Sequence, residues 1–351
     1  LQANTIEHNS HASGRKLDEL PRTQAAVLKR VRNWWGFRRA VTRAARADQS
    51  SVAGDKDVVV VPCWRRPEFL WHCLDNLTRA EGIGELLVVF RPDTGYSPDN
   101  LEVIDSYSDR LPNFDIWYPQ PSPYRRTKQS ANVLLGCLQA AAVARRLVFM
   151  VEEDIMVARD FFRWHRAVHA VVPKLFCSIA PKNPNRALTL PAEADGYYLS
   201  SGDYCSNGVC FDRQVLQTMI APHVNMSYLR SPKKYIRRHF PASMIGLGFV
   251  EQDGLVRRIQ ERSSYPIAWP CVPRAFHSGF YGYNRPAGVE GSLRDRVQLL
   301  ADTIYDREAM RVAAGRPEFI DTCMPCALET PEWSALHRVD VPMPPMVAAG
   351  A

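Results

Sequence analysis

Apolar positions follow two rhythms in the first half of the chain. Val58-Val59-Val60-Val61, Leu86-Leu87-Val88-Val89-Phe90 and Leu147-Val148-Phe149-Met150-Val151 are unbroken runs. Runs of that length without a polar face predict strands buried on both sides of a sheet. Pro62 is expected to end the first, and Phe114 to Tyr118 adds a short strand. Between these runs apolar residues recur at helical spacing. Leu70, Leu74 and Leu77 share one face of a helix over 67–80 with Pro67 in its first turn, and 99–110 and Gln129–Ala144 read as two more. Asp160-Phe161-Phe162 opens another. Leu28, Val31 and Trp35 set a helix over 22–46, which follows a polar, mobile start and precedes a linker from Asp48 to Lys56. Strands alternating with helices predict an α/β fold, a Rossmann-like, mostly parallel sheet flanked by helices. The second half carries Gly, Pro and aromatic clusters at Ser200–Asn207 and His277–Pro286 and reads as irregular loops over that sheet.

Such sheets bind ligands at the carboxyl ends of their strands. Trp64-Arg65-Arg66, Asp93 and Glu152-Glu153-Asp154 all follow strands, so they are expected to converge on one crevice. Three adjacent carboxylates repel one another unless a cation sits among them. Carboxylate and diphosphate oxygens together make a usual shell for Mg²⁺ or Mn²⁺, which is how an enzyme using a nucleotide sugar holds its leaving diphosphate. The competing reading is a solvated turn with acids near a helix start.

Composition narrows the class. The 351 residues are 46% hydrophobic and 23% charged, as expected of a folded domain or two. No apolar run reaches membrane-spanning length, since Arg145 and Arg146 interrupt the longest, Leu134–Val151. The net charge of +7 is concentrated. Residues 15–46 hold ten Lys/Arg and two acids, a local +8, which leaves −1 for the rest. Basicity therefore belongs to the N-terminal helix, which suits a membrane surface, a nucleic acid, or docking on its own body through Trp34, Trp35 and Phe37. Of nine cysteines, Cys63, Cys73, Cys137 and Cys177 lie in apolar segments, which predicts buried thiols and a reducing, cytoplasmic setting. Cys323-Met-Pro-Cys326 stands without the second pair that zinc needs and reads as a local disulfide or plain packing.

Five segments, in order, resemble the GT-A glycosyltransferases, and within them the N-acetylglucosaminyltransferase I group. They are Val58-Val-Val-Val-Pro-Cys-Trp-Arg-Arg-Pro67; Cys73-Leu-Asp-Asn-Leu77; Val151-Glu-Glu-Asp-Ile-Met-Val-Ala-Arg-Asp-Phe-Phe162; Leu175-Phe-Cys-Ser-Ile-Ala-Pro-Lys-Asn-Pro-Asn185; and Pro273-Arg-Ala-Phe-His-Ser-Gly279. The resemblance covers about residues 57 to 285. It implies inverting transfer from a nucleotide sugar with Mn²⁺ or Mg²⁺. Asp154 would ligate the metal, Glu153 would orient the donor ribose or a metal-bound water, and Glu152 and Pro62 would line the donor site. Arg65 would pair with a phosphate or hold the base, unless it bridges an acid on the loop. Asp93 would accept from a uracil-like base edge, hence a UDP-sugar, unless it serves only the Pro-Asp-Thr-Gly turn. The general base would be Asp253 or Glu251. The family has adjacent acids here, whereas Gln252 separates these two, and both equally suit a helix start. His277 would be a further metal ligand or diphosphate contact, or a structural histidine.

The acceptor is less legible. Arg125, Arg126 and Lys128 form one basic cluster, and Lys233, Lys234, Arg237 and Arg238 another with Tyr228, Tyr235 and Phe240 among them. Basic residues grip phosphates and aromatic rings stack on unpaired bases, so the favoured acceptor is a hydroxymethylpyrimidine in DNA. That would be chemistry similar to phage enzymes that act with base-hydroxylating oxygenases. The alternatives are a glycan or glycoprotein acceptor, in the Golgi lumen if an anchor precedes Leu1, and a non-catalytic nucleic-acid-binding protein on the same scaffold. The expected organisation is a basic extension over 1–50 and a catalytic domain over 51–290. That domain divides into a donor half, 57–165, and an acceptor half, 166–290, and a tail over 291–351 follows.

Overall fold

A computed structural model describes residues 22–46, 54–93, 96, 98–124, 127–181, 195–201, 204–243, 249–277 and 333–340. The expected elements of the first half form. Strands β1 (Val58–Cys63), β2 (Leu87–Pro92), β3 (Phe114–Ile116) and β4 (Leu147–Met150) alternate with α2 (Pro67–Arg79), α3 (Asp99–Ser106) and α4 (Lys128–Val143), after the N-terminal α1 (Arg22–Arg46). Helix α5 (Phe161–Val171) follows β4. The other strands are β5 (Ile155–Val157), β6 (Cys177–Ile179), β7 (Gly196–Ser200), β8 (Val209–Asp212), β9 (Ile267–Pro270), β10 (Ala275–His277) and β11 (His337–Arg338).

One sheet of nine strands runs in the order β11-β7-β9-β6-β8-β4-β1-β2-β3, and β10 pairs separately with β5. The pairs among β3, β2, β1 and β4 are parallel, as are β6–β9 and β7–β11. Strand β8 is antiparallel to both its neighbours, and β7 is antiparallel to β9. The sheet is thus mixed and mostly parallel. The expectation of an irregular second half needs correcting. Residues beyond 166 supply strands β6 to β9 to the same sheet, and the helices α6 (Met226–Arg230), α7 (Pro232–His239) and α8 (Gln252–Ser263).

Alternation explains the unbroken apolar runs. Val58 and Val60 point into the core beneath α4, while Val59 and Val61 point into the core beneath α2 with Leu70, Leu74 and Leu77. Helix α1 joins the first core through Phe37, Val41 and Ala44. At Gly136 of α4 a Cβ would lie 2.6 Å from Arg91 Cδ, so any side chain there would have to displace the buried Arg91.

Pro62 does not end β1, which continues to Cys63. The N–H and C=O of one strand residue point to the same side. The Pro62 carbonyl accepts from Glu153 N–H (3.2 Å), on the side where β4 has already stopped. The missing proline N–H therefore faces the acidic turn and breaks no ladder bond to β2. The four thiols expected in apolar segments are buried and unbridged, and burial raises all of them above the ordinary thiol value. The cysteines at 323 and 326 lie outside the described residues.

Candidate active site

Three strand ends build the crevice. After β1 the chain turns through Trp64-Arg65-Arg66 into α2, and the Asn100 side chain donates to the Trp64 carbonyl (3.1 Å) and fixes that turn. After β2, Asp93 N–H donates to the Cys63 carbonyl (2.8 Å), which ties the second turn to the first. After β4 the acidic triplet folds back beneath them.

The triplet does meet a cation, but it is Arg66. Its Nε donates to Glu153 Oε1 (2.7 Å) and its Nη1 to Asp154 Oδ2 (2.7 Å), while Trp64 N–H donates to Glu153 Oε2 (2.7 Å). Asp154 and Glu153 are 4% and 3% exposed. Burial pushes Glu153 up to about 7 even against the Arg66 guanidinium. Burial would raise Asp154 too, but His277 and then Arg66 outweigh it and hold that carboxyl below its ordinary value. Glu152 is raised by burial and then by the charges of Asp154 and Asp253. Gln252, next to Asp253, is hydrogen-bonded to Glu152, so the two acidic clusters, far apart in sequence, lie side by side in the fold.

His277 reaches the site through the short β5–β10 pair, in which it lies opposite Ile155. Its Nε2 is 3.5 Å from Asp154 Oδ2. A carboxylate and an imidazole side by side fit a divalent cation that takes oxygen and nitrogen donors, Mn²⁺ better than Mg²⁺. No group of three or more His, Cys, Asp or Glu fit to hold a metal occurs among the described residues, so substrate oxygens and water would have to complete the shell.

Across the crevice α8 begins with the second cluster. Glu251 is its N-cap, and its Oε2 turns back to accept from Val250 N–H (3.1 Å). Gln252 is buried. Its Nε2 donates to Glu152 Oε1 (3.3 Å) and its backbone N–H to Ser130 Oγ (3.1 Å). Asp253 follows, hydrogen-bonded to Ser206. Crowding by protein raises its carboxyl towards about 6, the Ser206 bond opposes this and Glu251 adds to it. Asp253 keeps an open side to solvent, where an acceptor can approach it. Tyr228 O–H donates to the Val250 carbonyl (2.9 Å) and anchors α6 beside this cluster.

The other expected residues fall as follows. Arg65 is exposed with its guanidinium 5.2 Å from the Trp64 ring centroid, while its neighbour Arg66 makes the acid bridges. Asp93 lines a shallow recess, with room for about one water, alongside Arg91, Lys128, Asn132 and Phe37. Lys233, Lys234, Arg237 and Arg238 are all exposed on α7, with Tyr235 and Ile236 turned inward. Thr127 O–H donates to the Leu229 carbonyl (2.6 Å) and ties the Lys128 segment to α6. Arg125 and Arg126 lie outside the described residues. Sequence reasoning brought Arg66 to the crevice and noted Gln252 without giving either a role, and it missed Ser130 and Ser206. For Arg66 the signal was the Arg-Arg pair itself, because consecutive residues in an extended turn point to opposite sides.

No protein-family model matches the sequence, and no curated protein does either. Solved structures do resemble this one. S. aureus TarS 1–349 in complex with UDP-GlcNAc has a TM-score of 0.42 and 11% identity, covering 75% of this chain and 72% of that one. The mannosyltransferase PcManGT from Pyrobaculum calidifontis, in complex with GDP-Man and Mn²⁺, has a TM-score of 0.36 and 14% identity, covering 86% of this chain and 79% of that one. The galactosyltransferase LgtC, in complex with donor and acceptor sugar analogs, has a TM-score of 0.37 and 7% identity, covering 60% of this chain and 72% of that one. At these scores the likeness is one of general arrangement and goes no further.

Proposed function

We propose that the protein is a nucleotide-sugar-dependent glycosyltransferase that moves a sugar to an acceptor hydroxyl with inversion at the anomeric carbon. The observation that carries the reading is the meeting of two acidic clusters: Asp154 beside His277 and Arg66, and Glu152 hydrogen-bonded to Gln252, the neighbour of Asp253. The metal motif and the candidate base of the resemblance thus meet although about a hundred residues separate them.

Asp154 and His277 are the residues that would hold the divalent ion, which offsets charge on the departing diphosphate. Arg66 keeps Asp154 ionised and holds both Glu153 and Asp154 in register within a buried wall. Asp93, at the carboxyl end of β2, suits a base edge with a hydrogen to donate, in line with a UDP-sugar. Arg65, at the mouth, suits a phosphate. Asp253 takes the acceptor hydroxyl's proton as that oxygen bonds to the anomeric carbon. The bond from that carbon to the diphosphate oxygen breaks, and its electron pair leaves with the nucleotide. Asp253 is favoured over Glu251 because it follows Gln252, which bonds Glu152, whereas the Glu251 carboxylate turns back to the Val250 N–H.

For the acceptor, the exposed basic face of α7 adjoins the Asp253 side through α6 and Tyr228. This favours a phosphate-bearing acceptor, a hydroxymethylpyrimidine in DNA, over a neutral glycan. The test is transfer from UDP-sugars with Mn²⁺ to hydroxymethylated DNA, plain DNA and glycans, read by mass spectrometry. Mass gain on hydroxymethylated DNA alone supports the whole reading. Gain on glycans alone overturns the acceptor, turnover that does not depend on metal overturns the metal role, and absent turnover with every UDP-sugar and, in a second screen, every GDP-sugar overturns the enzyme.

A further inference from the structure

We infer that the outward face of α1 is a docking surface for a single-stranded nucleic acid, which it holds beside the crevice. The inference rests on the DNA-acceptor reading above and goes beyond it in assigning the state of the strand and the residues that grip it.

Helix α1 is fixed in orientation. Phe37, Val41 and Ala44 are buried, the Phe37 ring meets Tyr124 edge-on at 6.2 Å, and a Cβ on Gly36 would come within 2.8 Å of Gln120 Oε1. The opposite side is therefore committed to solvent. It exposes Lys29, Arg30, Arg32, Arg38, Arg39 and Arg43, and the helix contains no acid. At 100° per residue Arg32, Arg39 and Arg43 fall in one row, about 16 Å long from first to last at 1.5 Å per residue. That length spans two or three backbone phosphates.

Beside the row Trp35 is 47% exposed and Val31 45%. The Arg38 guanidinium lies 5.5 Å from the Trp34 ring centroid and 5.4 Å from that of Trp35. An indole face held among arginines is a stacking platform for an unpaired base with phosphates gripped alongside. In a duplex the base faces are already stacked, which would leave Trp35 without a partner. A lipid surface draws on buried apolar area, and here the described outward apolar side chains are Val31 and Trp35 alone. The face is also continuous with the acceptor side. Helix α1 packs on α4 and on the turn Ala221–His223, and that turn meets α7 through His223 Nδ1 and Tyr235 Oη (2.9 Å).

The test is fluorescence anisotropy of the full chain with a labelled single-stranded DNA, the same sequence as a duplex, and anionic phospholipid vesicles, over a series of salt concentrations. The single strand is expected to bind more tightly than the duplex. Trp35→Ala should weaken single-strand binding by about five- to 150-fold with the salt slope unchanged. The triple variant Arg32→Ala/Arg39→Ala/Arg43→Ala should lower that slope by about 2. Circular dichroism checks that α1 still folds. Equal affinity for duplex, insensitivity to either variant, or binding to vesicles alone overturns the inference. Donor hydrolysis with Mn²⁺, measured on the same proteins without nucleic acid, separates the two readings. Hydrolysis without strand binding sinks the docking surface alone, and strand binding without hydrolysis of any donor sinks the enzyme alone.

Discussion

Arg66→Met keeps most of the aliphatic stem and removes the guanidinium that two buried acids share. Both bridges are 2.7 Å, and the Arg66, Glu153 and Asp154 side chains are 18%, 3% and 5% exposed. Removing one member of such a buried group costs about 3–5 kcal/mol, because the remaining charges stay desolvated; the open side of Arg66 points to the lower end, about 3 kcal/mol. The loss must depend on pH. Glu153 is raised to about 7 from an ordinary 4.5, so in that window the folded state binds a proton the unfolded state has released, and stability falls as pH rises. Asp154 is depressed, so it adds stability above its unfolded value that is lost as pH falls through its folded one. Without Arg66 both acids shift up. The Glu153 penalty then extends to higher pH and the Asp154 contribution disappears. Both changes act in the same direction, so the gap between wild type and variant widens with pH. Urea unfolding with a chelator present should give a gap of about 1 kcal/mol or less near pH 5 and about 3 kcal/mol near pH 8. A gap equal at both pH values, or below about 1 kcal/mol at the higher one, would refute the role given to Arg66.

Three further changes have definite outcomes. Asp253→Asn should lower kcat by about 10²–10⁴-fold with donor KM little changed. In the wild type kcat/KM should rise with pH up to about 6, because the base works deprotonated; an unchanged kcat would transfer the role elsewhere. Asp154→Ala should abolish Mn²⁺ binding in a calorimetric titration and bring donor hydrolysis to background, and an unaltered titration would remove Asp154 from the metal site. Trp333→Ala should cost about 3–5 kcal/mol in thermal unfolding. The indole is buried, donates to Asp160 Oδ2 (2.6 Å) and lies 4.1 Å beneath the Arg163 guanidinium; a loss under about 1 kcal/mol would mean that residues 333–340 do not anchor to the body.

The donor half was legible because its signals are local. Four-residue apolar runs and helical spacing each concern one element, and they located β1, β2, β4, α2 and α4 to within a residue or two. The second half was not, and the reason is strand length. Strands β5, β6 and β10 have three residues each, too few to display a period of two, and they exist only because neighbours already pair with them.

The site divides along the same line. The carboxylates were readable because three acids after an apolar run conflict with burial, and such a conflict needs a partner somewhere. What the sequence could not decide was which partner. A metal and an arginine satisfy the same need, and choosing Arg65 over Arg66 turns on a single reversal of side-chain direction at the end of β1. Gln252 shows how a departure from the family's pattern acquires a role. A third acid between Glu251 and Asp253 would have faced Glu152 across the crevice, adding repulsion where burial and two like charges already hold Glu152 protonated above its ordinary range. An amide at that position donates to Glu152 Oε1 instead. The prediction that separates these ideas is Gln252→Glu. It keeps the length and shape of the side chain, so a merely packed residue would tolerate it. If the amide couples the two walls, the variant should lose about 1–3 kcal/mol near neutral pH, recover much of that loss on acidification, and move the acid limb of kcat/KM upward as the added charge raises Asp253. Unchanged stability and an unchanged pH profile would leave the two walls independent.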